Sequence, residues 1–427
     1  VISILGWALV VAITAGAAEF KTSALPPING NMPTYAGAIT SPPMPHWSRP
    51  LPGKPLTSAT HSEHTRPVFV PQGILVGSAA GDALYLLDRR DGSLIQSYPG
   101  QASVESEPWV DGEDVLFTDT GGGVWCYGIT SGEMLWSYDT KAPSVARPTV
   151  ANGLVFVTTV DDLVVALRRD TGELVWRFQQ QPDLTRRTEL SLYASAPATV
   201  LDGKVVVGFS DGSLVALVAE NGDMFWSVHV GEGKYPDIVA APAVSPEGMI
   251  FASGYFDPLI ALKGARGVAW SLPFGSAASP VVHMGASGEV LYHPGTDGNL
   301  RAIDTTTGEV LWTWLSASDG ALTEPQWTPM GILIGSTSGP VWLVDPDSGA
   351  ELWRYAPMRV VDGLSAAPSV SGRQVVFVSN SGLLYSLLTP APDVPRPTTE
   401  WKMHRPDIDP SRVTPLPGPG AARPPKP

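Results

Sequence analysis

One cysteine, Cys126, stands in 427 residues. That excludes a disulfide framework, and with it a Cys-rich zinc site or an iron–sulfur cluster. Charge is also scarce, at 16% of residues, and the balance is acidic: 41 Asp and Glu against 27 Lys and Arg, a formal net charge of −14. A nucleic-acid partner requires a basic face to meet its phosphates, so that class is set aside. Between residues 56 and 389 no long apolar stripe of helical period occurs. What the chain has in quantity is 44 Gly and 42 Pro. Both break helices and suit a chain of many turns.

The two ends differ from the middle. Residues 1–18, VISILGWALVVAITAGAA, carry no charge. This length is near the lower limit for a membrane span, and the closing Ala15-Gly16-Ala17-Ala18 resembles a secretory cleavage site. Residues 1–20 are expected to be a signal peptide or a membrane anchor, with a buried element the remaining reading. The only cysteine is far from this run, so lipidation at its end is not available. Nine prolines in residues 21–55 mark a linker, assigned to 21–44. Residues 390–427 hold twelve prolines at net charge +2 and read as a disordered tail, either a spacer or a docking segment. Residues 56–389 carry 18 basic and 36 acidic side chains, so the acidity belongs to the folded part.

That middle repeats. A turn residue, Gly, and an apolar pair ending in Trp recur as SGEMLW (131–136), TGELVW (171–176), NGDMFW (221–226) and TGEVLW (307–312). Looser copies are DGSLIQ (91–96), ARGVAW (265–270) and SGAELW (348–353). Their last positions are 40, 40, 50, 44, 42 and 41 residues apart, a period that marks a solenoid, propeller or array. A second phrase counts the units independently. Pro67, Pro108, Pro148, Pro197, Pro242, Pro280, Pro325 and Pro368 each precede an alternating apolar strand. Each unit reads as four short β-branched runs bounded by turn residues, as in ARPTV, LVFVTT, LVVALRR and ELVWRFQ. The expected fold is an all-β, eight-bladed β-propeller of four-stranded antiparallel blades over residues 45–389.

The eighth unit lacks its Trp strand: after LLYSLLT the chain turns Pro-rich. The missing strand is expected from the other end, where PHWSRP at 45–50 places Trp47 in the right context. Such a crossover closes the ring and removes an open edge.

DGSLVALVAENGDMFW (211–226), DGNLRAIDTTTGEVLW (297–312) and DDLVVALRRDTGELVW (161–176) resemble the repeat of the pyrroloquinoline-quinone-like, or quinoprotein alcohol dehydrogenase-like, propeller family. The resemblance covers residues 66–389 and the closing strand. It implies the fold and leaves two functional branches, since one fold hosts many functions. One branch is the quinone-dependent dehydrogenases. The other is non-catalytic and typified by the outer-membrane assembly propeller BamB.

The repeated residues read as structural. The turn glycines suit positive φ. Trp47, Trp136, Trp176, Trp226, Trp270, Trp312 and Trp353 offer flat faces that seal adjacent blades. Asp304 and Asp345 are placed to cap turn N–H groups, and Asp345-Pro346-Asp347 lacks the ligand spacing of a calcium loop. Residues just before the repeated prolines should start the innermost strands and line the central channel: Arg66, Glu107, Arg147, Ser279 and Glu324, with alanines at 196, 241 and 367. Glu107, Arg147 and Glu324 are expected to pair with one another, line a wet channel, or hold something small. Cys126, in VWCYGI, reads as a buried thiol, and His61 and His64 as solvated residues.

The family's dehydrogenases commonly use a bound cation, a catalytic Asp and adjacent cysteines. Here there is one cysteine, no His/Asp/Glu cluster of ligand spacing, and one modest insertion, QQQPDLTRRTELSLY at 179–193. No catalytic, cofactor or metal residue is assigned. The expected function is a periplasmic or otherwise extracytoplasmic scaffold or assembly factor, anchored if residues 1–18 are uncleaved. By resemblance its partners are envelope proteins, such as a β-barrel or another membrane complex. A quinone-dependent dehydrogenase and a small-ligand sensor are the alternatives.

Overall fold

The computed structural model describes residues 42–53, 63–181, 192, 194–230, 235–256, 258–264, 267–285, 288–316, 320–328, 330–356 and 363–389. The expected signal or anchor, nearly all of the linker and the Pro-rich tail lie outside the described residues, as does His61.

Among the described residues, thirty-two strands form eight four-stranded sheets. Seven sheets are built from consecutive strands, and these are blades 1 to 7, spanning residues 68–99, 109–139, 149–179, 199–229, 243–272, 281–315 and 326–355. Blade 8 combines three strands from residues 369–388 with the N-terminal strand Met44–Pro50 on its outside. That strand pairs antiparallel with Leu383–Leu388, Trp47 opposite Ser386 and Pro50 opposite Leu383. The sheet order confirms the ring closure expected from the stray Trp in an otherwise Pro-rich stretch.

The position of each strand in its blade follows from its composition. First strands are short, as in Thr149–Ala151, and those of blades 3 to 7 lie side by side in turn, as do those of blades 8 and 1. Second and third strands such as Leu154–Thr158 and Leu163–Arg168 are almost continuous apolar runs and are buried on both faces, as expected of strands covered on both sides. The core is therefore divided among the blade-to-blade seams. One cluster joins Phe156 and Trp176 of blade 3 to Val205 and Leu217 of blade 4, and another joins Val376 and Leu384 of blade 8 to Ile74 and Leu87 of blade 1.

The outer strand of every blade carries the same irregularity. In blade 3, Leu174 pairs with Leu167 and Trp176 with Ala166, so Val175 is left over as a one-residue bulge. The equivalents are Ile95, Leu135, Phe225, Ala269, Leu311 and Leu352, and His46 in blade 8. A bulge bends the strand and interrupts its free ladder, which protects an exposed edge. It also breaks the alternation. Two consecutive apolar residues then face solvent, as with Met134 and Leu135 or Met224 and Phe225, and the next residue is the Trp.

Candidate functional site

That Trp turns onto the following blade. Trp136 Nε1 donates to the carbonyl of Arg169 at 3.0 Å, Trp176 to Ala219 at 2.8 Å, Trp270 to Thr305 at 2.9 Å and Trp312 to Pro346 at 3.1 Å. Each acceptor lies in the hairpin before the next outer strand, and the ring rests on that hairpin's glycine. A β-carbon at Gly172 would lie 2.5 Å from Trp136 Cε3. Gly172 has φ 70°, so its missing side chain serves both backbone and contact. Trp47 makes the same contact from blade 8 to blade 1, with Nε1 3.1 Å from Arg89 O. In blade 1 the position is Gln96, whose amide meets Gly132.

Trp353 is the exception. It is buried, yet its Nε1 has no hydrogen-bond partner. The other tryptophans reach a turn between third and outer strands of the next blade, and blade 8 has no such turn because its outer strand arrives from the N-terminus. The hairpin that would receive Trp226 includes residues 265–266, outside those described.

The turns are held by their carboxylates. Asp304 Oδ1 accepts from the amides of Thr306 and Thr307, at 3.0 and 2.7 Å. Asp345 Oδ1 accepts from those of Asp347 and Ser348, at 3.2 and 2.8 Å. For Asp345 the hydroxyl of Ser348, donating to Oδ1 at 2.7 Å, and for Asp304 the amide of Thr307 lead the bonds that hold both carboxyls below their usual range. The Asp345-Pro346-Asp347 sequence is thus a capped turn, as its composition suggests.

Four of the five charged or polar residues that precede the inner strands meet. Arg66 Nη1 lies 3.6 Å from Glu107 Oε1 and 3.7 Å from Glu324 Oε1, and Arg147 Nη1 lies 3.4 Å from Glu107 Oε1. Arg66 also donates to Ser369 Oγ at 3.0 Å and to Gln326 Oε1. Gln326 Nε2 donates to Glu324 Oε1 at 2.9 Å, and Arg147 stacks over Trp109 with its Cζ 5.0 Å from the ring centroid. The cluster joins blades 7, 8, 1, 2 and 3. Ser279 stands apart, fully buried, with its Oγ accepting from Ala241 N at 3.0 Å. Gln326 and Ser369 also join the cluster; the one sequence signal for them is that each directly follows one of the repeated prolines.

Glu324 is 1% exposed, and its pKa lies well above the ordinary carboxylate value. Burial is the main cause and Glu107 adds to it, while Arg66, Arg147 and Gln326 act the other way. Cys126 is fully buried as expected, its thiol pushed up to about 12 by burial. His64 corrects an expectation: it is buried rather than solvated, and burial lowers its pKa to about 4. The residues beside it, Glu63, Thr65 and Arg66, all fold inward, which the polar local sequence does not signal.

Among the described residues no group of three or more His, Cys, Asp or Glu side chains is placed to hold a metal ion. The inner ends of the strands carry two arginines already engaged with two glutamates. The one thiol is buried near Arg169, with Nη1 4.0 Å from Sγ. These residues do not fit a quinone cofactor with its cation and paired cysteines.

Comparison with known proteins agrees with this geometry. The family model described as outer membrane protein assembly factor BamB matches residues 46–140, 80–286 and 236–406. Outer membrane protein assembly factor BamB of Burkholderia pseudomallei (strain K96243) is 27% identical over 338 residues, covering 75% of this chain and 82% of that protein. The crystal structure of BamB from Moraxella catarrhalis superposes with a TM-score of 0.66 at 19% identity, covering 81% of this chain and all of that one. A quinohemoprotein alcohol dehydrogenase from Comamonas testosteroni gives a TM-score of 0.63 at 14% identity, over 83% of this chain and 78% of the enzyme; that likeness is one of fold. With a match that runs through all eight blades and includes the N-terminal closing strand, the chain belongs to the outer membrane protein assembly factor BamB family of β-propellers.

Proposed function

We propose that this chain is a non-catalytic scaffold of the cell envelope that serves the assembly of outer membrane proteins. The observation that carries the reading is the family match over residues 46–406, together with curated relatives named for that assembly. The local chemistry is compatible with it: the repeated Trp, Gly and Asp residues are spent on the propeller itself. In this reading the seven tryptophans seal the blades, and Arg66, Glu107, Arg147, Ser279 and Glu324 line the channel. Partners are envelope proteins, with a β-barrel or its assembly complex as the specific candidate. The site of action is periplasmic, with residues 1–18 as signal or anchor.

The test is capture of the full chain from cross-linked envelopes of its own cells, followed by identification of what is attached. Recovery of a β-barrel assembly component supports the proposal. Recovery of no envelope protein overturns it.

A further inference from the structure

Blade 6 contains a charged clasp that the scaffold reading leaves unused. His293 lies near the end of the strand Gly288–Pro294 and is wholly buried. In the register it faces Arg301 of the next strand, Asn299–Asp304, so the two side chains share one side of the sheet. Neither ring nitrogen of His293 has a hydrogen-bond partner. Phe274, from the connection out of blade 5, packs on the imidazole with ring centroids 6.4 Å apart. The same Phe274 ring carries Arg301, whose Cζ is 3.9 Å from the centroid. Arg301 also grips Asp297 in the intervening hairpin, Nη1 donating to Oδ1 at 3.1 Å and Nη2 to Oδ2. Gly295 makes room for this grip: a β-carbon there would lie 2.2 Å from Asp297 Oδ1 and 2.8 Å from Arg301 Nη1.

Burial favours the neutral imidazole here, and an imidazolium in the closed site would have two N–H donors to satisfy. The charged groups acting on His293 from the packed elements are Arg301, which opposes its cation, and Asp297, which favours it. Burial is the main cause that lowers its pKa, to about 3; Arg301 adds to it, and together they outweigh Asp297. Asp297 is the carboxylate acceptor among these groups, and Arg301 already occupies it.

We propose that His293 is an acid switch for the Asp297–Arg301–Phe274 clasp. Protonation makes His293 compete for Asp297, loosens Arg301 from Phe274 and opens the hairpin between the second and third strands of blade 6. In the open hairpin the imidazole meets water and regains an ordinary pKa of about 6.5. Proton linkage then raises the open-to-closed ratio about tenfold between pH ~7.5 and pH ~5.5.

Hydrogen–deuterium exchange of the full chain, corrected for the intrinsic effect of pH, reads that ratio at the amides of residues 295–300. The expected result is a rise of about tenfold over that pH range, lost in His293→Phe, which keeps a ring but cannot titrate. The hairpin of blade 2 at residues 119–123 follows a strand without histidine, Asp114–Thr118, and is the internal reference. An equal pH response of the two hairpins in the unaltered chain overturns the switch, even if the variant fails to fold. An unchanged response in a folded His293→Phe variant overturns it as well.

Discussion

Trp47 rests on Gly92. A β-carbon at Gly92 would sit 2.6 Å from Cζ3 of the indole, and the indole N–H reaches the carbonyl of Arg89 at 3.1 Å in the same turn. This contact joins a strand from the beginning of the chain to blade 1 while that strand pairs with the last strand of blade 8. Trp47→Ala is expected to lower stability by about 2–3 kcal/mol, below the fully buried range because the ring is partly exposed. Gly92→Ala strikes the same seam from the other side, adding about 1–2 kcal/mol of left-handed backbone strain to the clash. Urea unfolding of both variants, followed by Trp fluorescence, checks this; a native midpoint for either would contradict the assigned contact.

The tryptophans are unequal in one measurable respect. Trp136 gives its N–H to Arg169 O at 3.0 Å, whereas the buried Nε1 of Trp353 has no partner. Phenylalanine removes the donor in both cases. Trp136→Phe is expected to cost about 1 kcal/mol more than Trp353→Phe, since only the first loses a bond. Paired denaturation curves at one pH measure the difference, and equal costs would refute it.

The Glu324 carboxyl sets a slope of stability against pH. Its folded pKa is raised above the ordinary value of 4.5, so the folded state favours the protonated form. Its contribution is fully present below about pH 4.5 and declines as pH rises through the folded value. Glu324→Gln mimics the protonated group. The variant is expected to be more stable than the native chain at pH 8, with the gap closing toward pH 4.5. Thermal unfolding across that range tests the sign.

Arg66→Ala removes the cation between Glu107 and Glu324, which lie 3.6 and 3.7 Å from its Nη1. Two buried carboxyls are then left facing each other with less compensation. The expected loss is about 3 kcal/mol, as for breaking a buried ion pair from one side. A double-mutant cycle with Glu324→Gln should return part of it. Strict additivity would show that the two residues do not interact.

Cys126 should not react in the folded protein. It is fully buried and its thiol is pushed up to about 12, so thiolate is scarce and access is blocked. A thiol reagent is expected to modify the chain only in denaturant. Rapid stoichiometric labelling of the native protein would contradict this placement.

Local patterns were legible before the tertiary fold. The Gly-to-Trp phrase and the repeated proline each count blades from a few adjacent residues, and the stray Trp47 points to the closing strand. Asp304 and Asp345 were readable as caps because their partners lie within three residues. His64 was not: it stands among polar residues, and its burial depends on what the ring packs over it. The bulge before each Trp is not visible in the sequence, since a bulge is a mismatch between two strands and a single strand does not display it.

The sequence by itself determined the number of blades, the four-strand repeat, the acidic character and the turn chemistry, all products of short-range propensity repeated at a near-constant period. Tertiary structure alone decided which residues meet. Arg66 and Gln326 are 260 positions apart, and only ring closure brings them into one cluster. The same closure leaves Trp353 without a turn to dock on. It is also the fold that sets His293 beside Arg301 and Phe274, where burial, rather than residue type, controls its proton.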